Sequence, residues 1–92
     1  MIFEEMREAS IEVWEQYRFD SEDHYRQKID TVKYLPNTED NFMYIFAMFD
    51  INNQQKLISL LSLETKQALR DRLTEGGVEY QLYPQLLVEM KE

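Results

Sequence analysis

The residues of this chain whose type and spacing could do chemistry are carboxylates. Glu4, Glu5, Glu8, Glu12 and Glu15 recur at short intervals. On a helix turning about 100° per residue, all five fall within roughly one third of the circumference. Carboxylate pairs can act as general acid and base, but that work needs a desolvated pair in a pocket. Glutamates on the polar side of an amphipathic helix have no reason to titrate abnormally. Taken as a surface, the stripe is an unneutralised anionic ribbon, because Arg7 and Arg18 project only towards its border.

Other constellations fail on residue type or spacing. His24 is the single histidine, with Asp20 at i−4 and Asp23 adjacent. Such a trio could hold a divalent ion, but a lone histidine among helix-capping residues reads as a surface side chain. No nucleophile motif accompanies it. The segment Asp50-Ile51-Asn52-Asn53-Gln54-Gln55 superficially suggests a calcium loop. Gln55 and Leu61 stand where that loop needs glycine and a bidentate glutamate. Gly76 and Gly77 are the only glycines, so no phosphate-cradling loop is present. Lys66, Arg70 and Arg72 are diluted by Glu64, Asp71 and Glu75 and read as a solvated face laced with ion pairs. Neither catalysis, metal nor cofactor is expected.

The elements that must position the ribbon are mostly helical. A first helix is expected over about Phe3–Arg18, with Ile2, Phe3, Met6, Ala9, Val13, Trp14 and Tyr17 on its apolar side. Asp20 or Ser21 can cap the next helix, which carries Tyr25, Ile29 and Val32 as one stripe and ends before Pro36. Thr31–Leu35 is β-tolerant, so its last turn has an extended alternative. Asn37–Asn41 is a polar connector with capping residues. Phe42–Phe49 is apolar on every side, and methionine and alanine within it favour a buried core helix over a strand. Asp50–Asn53 leads into Gln54–Leu61. Ser62 caps Leu63–Thr74, with Leu63, Leu69 and Leu73 inward and Lys66, Arg70 and Arg72 outward. Gly76-Gly77 supplies a left-handed stop. Val78–Tyr83 alternates with period two, and Pro84 can open a short helix over Gln85–Lys91. The expected class is mainly α, a single-domain helical fold with a possible short β element near residues 78–83, the alternative being α+β.

Composition bounds the rest. Ninety-two residues make one domain. At 43% hydrophobic and 13% aromatic the chain is too apolar for a disordered acidic tail. Its aromatic load suits a dense core or a homodimer seam. Net charge is −8, and residues 1–23 hold eight acids against two bases, a balance of −6. Such a surface repels nucleic acid and acidic membranes and is drawn to basic proteins. Cysteine is absent, which excludes disulfides and is compatible with a reducing cytoplasm. Neither a secretory signal nor a bilayer-spanning run is visible in the sequence, so a soluble cytoplasmic protein is expected.

The ribbon also has a physical counterpart. Five carboxylates over eleven helical steps give about one charge per 3 Å, near the 3.4 Å spacing of phosphates along one DNA strand. Two such ribbons on a two-fold dimer would approach duplex charge density.

The length of 92 residues, the opening Met-Ile-Phe-Glu-Glu-Met-Arg-Glu-Ala-Ser and the cysteine-free acidic composition resemble the Arn family of anti-restriction proteins of T-even phages. The resemblance covers the whole chain through overall character rather than through a diagnostic motif. It implies a non-enzymatic, dimeric DNA mimic working in the cytoplasm of an infected bacterial host. The targets it implies are the modified-cytosine-dependent restriction nuclease (McrBC type) and the histone-like nucleoid-structuring protein. It transfers no residue pattern. From charge mapping, the carboxylates expected to meet a partner are Glu4, Glu5, Glu8, Glu12, Glu15, Asp20, Glu22, Asp23, Asp30, Glu39 and Asp40. The alternative is a helical interaction or assembly module gripping its partner through apolar surface around Trp14 and Tyr17.

Overall fold

The computed structural model describes residues 2–77 and 83. Five helices follow one another: α1 (Ile2–Gln16), α2 (Glu22–Lys33), α3 (Glu39–Ala47), α4 (Ile51–Ser59) and α5 (Leu63–Glu75). No strand occurs among the described residues, so the mainly helical expectation holds there. The strand expected over 78–83 and the helix expected over 85–91 lie outside the described residues, apart from Tyr83.

Each helix after the first is started by a side chain whose oxygen accepts from a backbone N–H three residues on. Ser21 serves His24, Thr38 serves Asn41, Asp50 serves Asn53 and Ser62 serves Thr65. Each such cap stabilises its helix by about 1 kcal/mol. At the other end of α5, Gly77 takes φ 76°, where a side chain would be strained.

Helix α1 is the hub, in contact with each of the other four helices. Its buried arc comprises Phe3, Met6, Ala9, Ser10, Val13 and Trp14. Against it lie Val32 of α2, then Phe42, Ile45 and Phe46 of α3, with Phe49 just beyond. Leu57 and Ile58 of α4, Leu61 beyond it, Leu69 and Leu73 of α5 and Tyr83 also belong to the core. The Phe42–Phe49 run is therefore a helical core segment, although Tyr44 within it is 51% exposed. Two of the buried polar side chains find partners inside the fold. Ser10 donates to the carbonyl of Arg7 at 2.7 Å. Gln54 donates to the Phe46 carbonyl at 3.1 Å and accepts from the Tyr83 hydroxyl at 2.9 Å.

Three details depart from the sequence reading, and the choice left open over Thr31–Leu35 is decided. Helix α1 stops at Gln16, so Tyr17 leaves the helical arc and is 44% exposed. The Thr31–Leu35 stretch stays helical through Lys33 rather than extending. Leu63 is 52% exposed whereas Lys66 is only 7% exposed. The register explains that exchange: counting back from Leu69 and Leu73 in steps of three and four reaches Thr65 and Lys66, and Leu63 falls off the face. Lysine tolerates this because its long aliphatic stem can be covered.

The end of α2 is held by a side chain of α1. Arg7 does not merely border the glutamate stripe; it reaches across to the end of α2. Its guanidinium donates to the carbonyls of Val32 at 3.0 Å, Leu35 at 2.8 Å and Lys33. Val32 and Lys33 stand in the last turn of α2 and Leu35 just past it, where carbonyls lack a full helical set of partners and a cation complements the helix dipole. The side chain is 14% exposed and its guanidinium sits over the Phe3 ring at 4.8 Å. Arg7→Met should therefore lower stability by about 2 kcal/mol. Arg7→Lys should recover less than half, since an ammonium lacks the planar fork. Urea unfolding midpoints at unchanged m-value measure both effects.

Candidate functional site

The carboxylates of α1 begin on one arc, but their neighbours sort them into different roles. Glu4 lies at the border of the arc, 3.3 Å from the Arg7 Nε. Glu5 turns towards α5, 57 residues away, where its carboxylate accepts from the backbone N–H of Ser62. It also accepts from the hydroxyls of Ser62, at 2.8 Å, and Thr65. A carboxylate at the first turn of a helix meets free N–H groups and the positive end of the dipole. Glu5 thus works as a second cap on α5, delivered from another helix. Burial pushes its carboxyl up, yet the bonds from Thr65 and Ser62 together outweigh this and hold it below its ordinary value.

Glu8, Glu12 and Glu15 remain exposed and, among the described residues, enter no ion pair. Spaced by four and three residues, they project from the same side of α1. With Ala9, Ile11 and Leu60 they line an open hollow of about 410 Å³ between α1 and the α4–α5 corner. Its floor is apolar and its wall anionic. Leu60 is 44% exposed there.

The remaining carboxylates picked out by charge mapping are scattered over the α1–α2 connection, α2 and α3. Asp20 is hydrogen-bonded to the Nδ1 of His24 at 3.0 Å, and this bond holds its carboxyl below the ordinary range. Glu22 pairs with Arg26 at 3.4 Å. Glu39 takes both Nε and Nη2 of Arg72, the latter at 2.8 Å, and that fork lowers its carboxyl. The same guanidinium lies 4.9 Å over the Phe42 ring, so Glu39 is tied to the core through its partner. Asp23, Asp30 and Asp40 are exposed without ion pairs among the described residues. Of the eleven, six are thus unpaired, three are in local pairs on their own or the adjoining turn, and two bind distant elements.

Sequence reading did not find the partners that create this sorting. Ser62 is legible as a cap, but nothing near it signals a glutamate from α1. Arg72 and Leu60 likewise acquire their roles only through packing. Among the described residues no group of three or more His, Asp or Glu is placed to hold a metal ion. No helix there is long and apolar enough to cross a membrane.

Glu5 makes a prediction about acid stability. A depressed carboxyl contributes stability that is fully present above its unfolded value, 4.5, and is lost as pH falls through the lower folded value. The wild-type urea midpoint should therefore fall steeply as pH drops below about 4.5. Glu5→Gln should start lower at neutral pH and decline less over the same window. Parallel declines would show that the Ser62 and Thr65 bonds do not favour the charged form.

Comparison of the chain with known protein families, curated proteins and solved structures gives no match to any of them.

Proposed function

We propose that this chain is a non-enzymatic DNA mimic that occupies the DNA-binding sites of basic host proteins. The observation that carries the reading is the unpaired row Glu8–Glu12–Glu15, left open on the solvent side of a helix whose other glutamates have partners. Leaving like charges at i,i+4 spacing costs a few tenths of a kcal/mol, with no return in stability. A surface that attracts cationic proteins gives that cost a use.

The imitation is partial on one helix. With Glu5 committed to α5, the free row spans seven helical steps, about 10 Å, at a mean interval of about 5 Å. DNA phosphates recur every 3.4 Å along one strand. The rest of the negative field has to come from Asp23, Asp30 and Asp40, or from a second copy. A homodimer is therefore part of the proposal. The resemblance to the Arn family supports the reading and names its targets: a modified-cytosine-dependent nuclease of the McrBC type and the histone-like nucleoid-structuring protein. The cytoplasm of an infected bacterium is where both would be met.

The alternative, a grip through apolar surface at Trp14 and Tyr17, is left with less to hold. Trp14 is 5% exposed and stacked on Phe49 at 4.3 Å, so of that pair only Tyr17 offers much open surface to a protein partner.

Binding to a histone-like nucleoid-structuring protein should weaken steeply between about 50 and 200 mM salt and be competed by duplex DNA. The triple variant Glu8→Gln, Glu12→Gln, Glu15→Gln should keep its helical circular dichroism while losing at least about tenfold in affinity and flattening the salt dependence. Unchanged affinity in the triple variant would sink the proposal.

A further inference from the structure

A second cleft lies where the ends of α1 and α3 meet α2, and it shares no lining residue with the glutamate hollow. It measures about 450 Å³. Its walls are aromatic. Trp14 and Tyr17 meet edge to face with centroids 5.2 Å apart, and Phe19 lies 5.5 Å from Trp14 and 4.8 Å from Tyr17. Met48 completes the apolar lining.

The rim is cationic, against the sign of the chain. Arg18 and Lys28 both line the cleft, and Lys28 Nζ stands 5.6 Å from the Trp14 ring centroid. Acids outnumber bases by 18 to 10 in this sequence, yet among the described residues neither cation is paired with a carboxylate. Asp20, the acid at the same rim, is occupied by His24. A further group is also unmatched: the Nε1–H of Trp14 is buried and has no acceptor among the described residues. A buried donor without a partner is destabilising. Phe49, stacked on the Trp14 ring, keeps that indole in place whether or not a ligand is present.

We infer that this cleft is a binding site for a small aromatic carboxylate. The volume is in the range of small-ligand sites. The ring of the ligand would lie against Tyr17, Phe19 and Met48, and its carboxylate between Arg18 and Lys28. A bare phosphate would satisfy the cations but leave the aromatic wall uncovered, and an apolar molecule would do the reverse. An acidic side chain of a protein partner brings a carboxylate without a ring. The site does not depend on the DNA-mimic reading, because none of the glutamates proposed there takes part.

Trp14 is the only tryptophan, so its indole N–H gives one side-chain cross-peak in a ¹H–¹⁵N correlation spectrum of the labelled protein. Titration with indole-3-acetate should move that peak saturably. Indole-3-acetamide, of the same shape without the charge, should bind at least about tenfold more weakly. The double variant Arg18→Gln, Lys28→Gln changes only rim side chains and should leave the remaining spectrum in place, again with about a tenfold loss for the acid. An immobile indole peak at millimolar ligand would overturn the assignment. So would equal affinity for acid and amide, or full affinity in the double variant.

Discussion

Everything in this fold leans on the apolar arc of α1. One helix supplies the surface on which four others are packed, and those four touch one another much less. Burial of Phe3, Met6, Val13 and Trp14 is thus not one contribution among several, since removing it would leave α2 and α5 without a common partner. A hub helix has only so much circumference. The arc that faces α2 to α5 is committed to packing, and what is left over must be polar. The acidic face is the residue of that geometry, and its location opposite the core follows without any functional demand.

What function could add is the distribution of partners along that face. Two of its glutamates are drawn back into the structure, Glu4 by Arg7 and Glu5 by the start of α5. Three are not. The contrast is informative because unpaired cations were available elsewhere on the molecule, at Arg18 and Lys28, and they sit at the aromatic cleft instead. On these two faces, among the described residues, charge is segregated rather than neutralised, with an anionic hollow and a smaller cationic rim each kept open.

Local features of the fold were readable from the sequence because their causes are local. Ser21, Thr38, Asp50 and Ser62 announce helix starts through side-chain chemistry that acts over three residues. Gly77 announces a stop through its conformational freedom. The face of α5 was readable too, but only by counting from Leu69 and Leu73, and taking Leu63 for its hydrophobicity alone misplaced Lys66. The stripe of glutamates was legible as a stripe. Which of its members stay free was not, because Arg7 finds the end of α2 at 25 to 28 residues' distance and Glu5 finds α5 at 57 to 60. Periodicity carries no information at that range.

The Glu5 clip has a consequence for how the chain comes into being. Residues 62 and 65 leave the ribosome long after residue 5, by several seconds at about 5–20 residues per second. Through that interval the greasy side of α1 has at most part of its cover, and nascent helices with such a side are prone to stick to one another. Glu5 waits as well, and until Ser62 arrives it stands with Glu8, Glu12 and Glu15 as a fourth like charge. The nascent segment is thus most strongly self-repelling while it is least protected, and it gives up part of that repulsion only when α5 docks.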